Sequence, residues 1–298
     1  EAGVLKIKNL APDESSGRVR IDAGNGAVSG AGTIYNESGY FDAINISGTG
    51  NVVIDGLSMV GSKTGEPQIT VISGTDYTPT LVRNTVSVPT LTVDAAGGIT
   101  LGDIDVGGGK ATLISRGVAV NQGKDINQLN GSILRVGQLD LSAEQGSVGN
   151  VDNAIEVLFA NDVSASNASL TGFAGGSRLA GNFYLNSSLE DTVETLQIGN
   201  IQSRDALSLI LGSRMGDGVA TYEVGDGAML TSLGQLSLDA SAENVALRLD
   251  GTIRSGFEGS DASLDVVINS DESVTSDWSG LYVSVSDLQV GWVGVIFS

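Results

Sequence analysis

Apolar and polar positions alternate one by one in short runs along nearly the whole chain. In "LTVDAAGGITLGDIDVGGGKATLISRGVAV", residues 91–120, Leu91 and Val93 are followed by Ile99 and Leu101, by Ile104 and Val106, by Leu113, and by Val118 and Val120. A period of two marks a strand with one buried face, and clusters of Gly, Asn, Asp and Ser between the runs mark turns. The same pattern recurs in "VRIDAG", "AINISGTGNVVIDGLSMVG", "ITVISG", "SILRVGQLDLSA", "AIEVLFANDVSA", "GQLSLDASAENVALRLDGTI" and "ASLDVVINS". The best helix candidate is "SSLEDTVETLQI", residues 187–198. There Ser188 precedes Asp191 as a cap would, and Leu189, Val193 and Leu196 are spaced by four and three. "NQGKDINQLNGS", residues 121–132, reads as a polar loop.

Many runs hold only three to five residues before a glycine. Three such runs with their corners occupy about 20 residues, the size of one coil of a parallel β-solenoid. The 42 glycines, 4 prolines and 5% aromatic content suit a thin aliphatic interior with tight corners. The expected fold is therefore all-β, an elongated parallel β-helix or β-solenoid. Residues 1–175 form the solenoid region, and 176–298 continue it as a β-rich region within the same domain or a second one. Val93, Ile99, Leu101, Ile104, Leu113, Leu139, Leu141, Ile155, Val157, Leu236, Leu238, Leu247 and Leu249 are the expected inward rows.

Charge narrows the partners. The chain carries 35 acidic and 15 basic residues, a net of −20. That balance argues against nucleic acid and against anionic membrane surfaces, both of which call for Lys and Arg clusters. There is no Cys and no His, so a disulfide framework, a thiolate nucleophile and an imidazole base are all excluded. The opening "EAGVLKIKNLAP" lacks the basic start and apolar run of a signal peptide, which fits a chain matured by cleavage or cut from something longer.

Few residues invite chemistry. Asp103 and Asp105 share one face of a strand and are the candidate Ca²⁺ ligands, with Lys110 and Arg116 close in sequence. Glu223 and Asp226 form a second acidic group of the same kind. "GGGK" at 107–110 lacks the spacing of a phosphate loop and reads as a turn. Apart from Ca²⁺, no cofactor is expected, and no catalytic residue is assigned.

The C-terminal run "LYVSVSDLQVGWVGVIFS" is apolar and has Asp287 as its single charge. Leu281, Val283, Val285, Leu288, Val290, Trp292, Val295 and Phe297 are the candidate interaction residues. They serve either a last strand of the chain's own domain or a strand paired with a neighbouring subunit.

"LTVDAAGGITLGDIDVGGGKATLISRGVAV" and "LDLSAEQGSVGNVDNAIEVLFANDVSASNASLTG" resemble the haemagglutinin-type repeats of bacterial filamentous adhesins, most closely over about residues 40–175. The resemblance implies a right-handed parallel β-helix, an extracellular location at the bacterial cell surface, and adhesion or fibre formation. The expected function is that of a secreted structural or adhesive protein, a fibre, fimbrial or pilus-like filament subunit in cell attachment or biofilm contact. Its expected partners are like subunits in a homopolymer, or glycans and proteins of host and bacterial surfaces. Two alternatives stand beside it: a carbohydrate-active β-helix enzyme, which would need an acidic cleft, and an outer-membrane β-barrel. Against the barrel, only six Tyr, six Phe and two Trp are available for its aromatic girdles.

Overall fold

In the computed structural model, every secondary-structure element among the described residues is a strand. Backbone and side chains are described for residues 91–102, 104–106, 108–118, 124–161, 168–176, 180–256 and 264–267. The backbone alone is described for the remaining parts of the strands at 4–7, 18–22, 27–35, 43–48, 52–60, 68–73, 77–79, 82–84, 90–95, 263–268, 282–285 and 293–297.

The strands wind into a β-solenoid. One face is a 13-stranded sheet that runs from Arg18–Asp22 to Tyr282–Val285. The opposite face is divided between a 7-stranded sheet, from Val4–Ile7 to Ile126–Gln128, and an 8-stranded sheet, from Ile104–Asp105 to Val293–Phe297. The pairings between these strands are parallel, because each circuit lays its strand beside the one before. Circuit length varies: Lys110 lies beside Thr90, 20 residues on, whereas Ser169 lies beside Gln138, 31 residues on. Part of the added length is an excursion at 149–154 from the second face, which the stack tolerates because the strand beside it runs on without a break.

In-register stacking explains the sequence period. One side of each strand faces inward and the other faces solvent, so buried and half-buried positions alternate strictly along Phe183–Leu189. Inward side chains stack in rows, as with Val93, Leu113 and Leu141 on successive circuits. The thirteen inward residues expected from the sequence are all buried. Tyr222 is the largest fully buried side chain among the described residues, and its hydroxyl donates to the Gly212 carbonyl at 2.7 Å. Burial holds this phenol far above its usual pKa, so it stays neutral.

A second column follows the inward aliphatic ones. Ala95, Ser115, Ala143, Ala174, Ser203, Ser232 and Ser255 stand in register at the end of the long sheet, where each circuit turns its corner. All are buried. The serine hydroxyls reach the carbonyls that the corners turn inward. Ser115 Oγ lies 2.8 Å from Gly97 O and 2.7 Å from Lys124 O. Ser203 Oγ lies 2.6 Å from Gly181 O and 2.7 Å from Ala206 O, and Ser255 Oγ lies 2.6 Å from Gly234 O. In Ser115 and Ser203 one acceptor belongs to the preceding circuit and the other to the residue's own corner.

Charged groups staple the outer surface. Identical charges stacked in register would repel, so a cation between two acids is stabilising. Arg116 is bidentate to Asp94 of the preceding circuit, both contacts at 2.8 Å, and its third nitrogen meets Glu144 of the next circuit at 2.8 Å. Its hydrogen bonds to Asp94, more than any other influence, hold the guanidinium above its ordinary pKa.

Four sequence expectations need correction. Residues 187–198 are not helical: they carry the end of the strand Phe183–Leu189, a turn, and the start of Thr195–Ser203. Leu189 and Leu196 face inward from two strands on opposite faces of the solenoid, which mimics helical spacing. The polar loop at 121–132 contains the strand Ile126–Gln128, whose Ile126 is fully buried. Val118 does not continue the inward pattern but is 65% exposed, because the strand ends at Ser115 and the chain has turned at Gly117 with φ +61°. The C-terminal run is not one strand but two, Tyr282–Val285 and Val293–Phe297, on opposite faces of the solenoid.

Candidate functional site

Three strands of the second face carry the site: Ile155–Phe159, Phe183–Leu189 and Leu207–Ser213. Their outward residues stack in columns. Glu156, Asn186 and Ile210 form one column, and Tyr184 and Ser208 share the next.

The sheet is interrupted beside these columns. Val148 pairs with Phe183, and Ile155 pairs with Leu185. Between them six residues, 149–154, stand where the neighbouring strand has only Tyr184. The chain leaves the sheet at Gly149, with φ +62°, where a Cβ would lie 2.6 Å from the Tyr184 carbonyl oxygen. A side chain cannot occupy that space, and L-residues rarely adopt that φ. The excursion is a tight turn: Asn150 Oδ1 accepts from the Asp152 N–H at 3.0 Å and from the Asn153 N–H at 2.9 Å. Val151 at its tip is 77% exposed.

The turn walls an open groove of about 280 Å³ over Glu156, Tyr184, Asn186, Ser208 and Ile210. Ile210 is 46% exposed within it. Asn186 Nδ2 donates to Glu156 Oε1 at 2.6 Å, which orients two planar groups toward each other. The backbone of Glu156 is held from beneath. In the preceding circuit the strand resumes only at Leu134, beside Val157. The buried amide of Gln128 stands in for the missing rung: its Oε1 accepts from the Glu156 N–H at 2.6 Å, and its Nε2 donates to the Glu156 carbonyl at 3.2 Å. Two carboxylates, Asp152 and Glu156, line the groove, and no Lys or Arg does. Partial burial, followed by the charge of Asp205, raises the Tyr184 phenol above its usual pKa, so it remains a hydrogen-bond donor at neutral pH. The groove therefore combines apolar contact, a phenol, a hydroxyl and a hydrogen-bonded amide–carboxylate pair under a negative potential.

The acidic pair in the sequence lies elsewhere. Asp105 is on the second face, in register with Arg135, whose guanidinium meets it at 3.2 Å and also holds Glu190 at 2.9 and 2.7 Å. Asp103 lies outside the described residues. Lys110 and Arg116 stand at the start and just beyond the end of a strand of the opposite sheet, so the fold does not gather them around Asp105. Glu223 accepts from Gln197 Nε2 at 2.9 Å and lies 3.6 Å from Arg248, while Asp226 is on an exposed turn. No cluster of three metal-ligating side chains occurs among the described residues.

The apolar C-terminal run enters both sheets of its own chain. Val283 and Val285 lie beside Ile253 and Ser255, and Val295 and Phe297 lie beside Val266 and Ile268. Leu281, Leu288, Val290 and Trp292 lie outside the described residues.

The alternation of apolar and polar positions does not mark the groove. Its signal was "SVGNVDNAIEV", residues 147–157, in which Gly, two Asn and Asp interrupt a run that a solenoid could have crossed directly. Comparison with protein-family models, curated proteins and solved structures finds no match to this chain.

Proposed function

We propose that this chain is a structural and adhesive protein of the bacterial cell surface, a module of a fibre or filament that attaches to glycans or proteins of neighbouring surfaces. The observation that carries the proposal is the continuous parallel 13-stranded sheet. Such a stack gives length with a repeating outer surface, and its stability comes from nearest-neighbour contacts between circuits. The likeness of residues 91–120 to adhesin repeats supports the extracellular reading, as does a Cys-free composition that forms no crosslinks in an oxidising compartment. A net charge of −20 keeps such a surface from collapsing onto nucleic acid or anionic lipid.

The test is attachment. Beads coated with the purified chain are expected to bind bacterial or epithelial cells saturably, and soluble chain should compete. Beads that bind no more cells than albumin-coated beads would overturn the adhesive part. Light scattering over a concentration series checks the partner part of the proposal. Mass rising in whole-chain steps supports assembly with like subunits, and a constant single-chain mass removes it.

A further inference from the structure

We infer that the groove beside the 150–154 turn is a carbohydrate subsite that takes a neutral pyranose. The adhesive reading above supplies its biological use, but the chemistry stands on the groove itself. The turn adds no side chain to the buried apolar rows, and Asn153 Nδ2 anchors it by donating to the Gln128 carbonyl of the preceding circuit. It interrupts the sheet, requires glycine at 149, and carries an exposed valine at its tip, and hydrogen bonds from the Asp152 and Asn153 N–H groups to Asn150 Oδ1 brace it. A rigid excursion with an apolar tip presents a contact surface.

A sugar ring has an apolar face of C–H groups and a rim of hydroxyls that both donate and accept. The groove matches both parts. Val151, Ile210 and the Tyr184 ring supply apolar surface, and Glu156, Asn186 and Ser208 supply the rim. The hydrogen bond between Asn186 and Glu156 uses one amide hydrogen and one carboxylate oxygen. The chemistry of the two groups leaves a second amide hydrogen, the amide carbonyl and a second carboxylate oxygen. Gln128 fixes the strand beneath, so these groups are placed before a ligand arrives. At about 280 Å³ the groove is at the small end for ligand sites, a size for a short stretch of glycan.

Charge selects among sugars. Asp152 and Glu156 line the groove, Asp205 acts on Tyr184, and Asp239 is in register with Ile210. A sialylated, uronic or sulfated sugar would place its anion against these carboxylates without a lining cation to receive it. Anionic sugars are therefore excluded, and a neutral ring meets the groove without that repulsion.

The experiment titrates the full chain, followed by saturation-transfer NMR, with β-linked trimers of glucose, galactose and N-acetylglucosamine. Sialyllactose and a heparin disaccharide serve as the anionic probes. At least one neutral trimer is expected to bind with Kd on the order of 1 mM or tighter. Tyr184→Ala should weaken it about tenfold, and Tyr184→Phe less. Ser208→Arg, which fills the groove, should abolish it. Circular dichroism and melting should match the parent in each variant, since both side chains face outward. Three results would each overturn the subsite: no neutral trimer bound, binding unchanged in folded Tyr184→Ala and Ser208→Arg, or tighter binding of the anionic probes. Cell attachment that persists in Ser208→Arg while its trimer binding is lost keeps the subsite and takes it out of the adhesive contact. Failure of attachment with trimer binding intact overturns the adhesive reading alone.

Discussion

Leu113→Asp should lower stability by on the order of 5 kcal/mol and open the solenoid at one place. Leu113 is fully buried and in register with Val93 on one side and Leu141 on the other. Removing its side chain alone leaves a cavity worth about 2–5 kcal/mol, and the carboxylate adds an unpaired charge in an apolar row. Circuits contact only their neighbours, so the break interrupts cooperativity between the parts on either side. The expected result is a melting transition at lower temperature and new protease cleavage close to residue 113. Thr112→Lys on the same strand is the control. Thr112 faces outward beside Asp140, so the added ammonium meets a carboxylate and stability should stay within about 0.5 kcal/mol of the parent. A Leu113→Asp protein that melts like the parent would refute the inward assignment of the row.

Inward rows were legible because the solenoid imposes one rule on every circuit. The alternation of Leu91 with Val93 and of Ile99 with Leu101 needs no knowledge of distant partners, since a strand with one buried face has period two wherever it lies. What the pattern does not encode is the point at which a strand stops. Val118 and Val120 read as a further apolar run, out of phase with Ala111, Leu113 and Ser115, yet before Val118 the corner has already turned at Gly117. The segment 187–198 failed for a related reason. Leu189 and Leu196 face inward from two strands with a turn between them, and a spacing of seven is also two turns of a helix. The groove was illegible for a different cause. It depends on which residues lie opposite the 149–154 excursion, and that is set by the register of Phe183–Leu189, some 30 residues away. Asp105 shows the same dependence: its partner Arg135 is 30 residues on, and only the stacking brings them together.

The corner column has a signature in the sequence. "LIS", "IQS", "LTS" and "IRS" end at Ser115, Ser203, Ser232 and Ser255, and "VDA" and "LSA" end at Ala95 and Ala143. The motif is an inward aliphatic, an outward residue, then a small inward residue before the corner. At Ser115 and Ser203 a longer aliphatic side chain would meet the carbonyls that the hydroxyls reach, while the position in register beyond Ser255 is Val285. Serine adds a second donor to carbonyls that the turning chain points inward, such as Gly181 O and Asp205 O.

Ser232 is the place to measure what that donor contributes. Its hydroxyl donates between the Asp205 carbonyl of the preceding circuit and the Gln235 carbonyl of its own corner, the latter at 2.8 Å, and it also accepts from the Gly234 N–H at 3.2 Å. Ser232→Ala keeps the small volume that Ala143 and Ala174 show the column accepts. It loses only the hydrogen bonds and leaves buried carbonyls without this partner, a cost of about 1–3 kcal/mol. Ser232→Val loses the same bonds and also drives methyl groups into both carbonyls. Overpacking adds about 1–3 kcal/mol, so the total is about 4 kcal/mol. The difference between the two variants separates packing from hydrogen bonding at one site. Hydrogen exchange should locate the damage, with the amides of Leu233 and Gly234, which donate to Ser203 O and Asp205 O, losing protection first. If alanine costs nothing and valine alone destabilises, the corner needs a small residue and not a hydroxyl. If both variants match the parent in melting and exchange, the column is not what joins one circuit to the next.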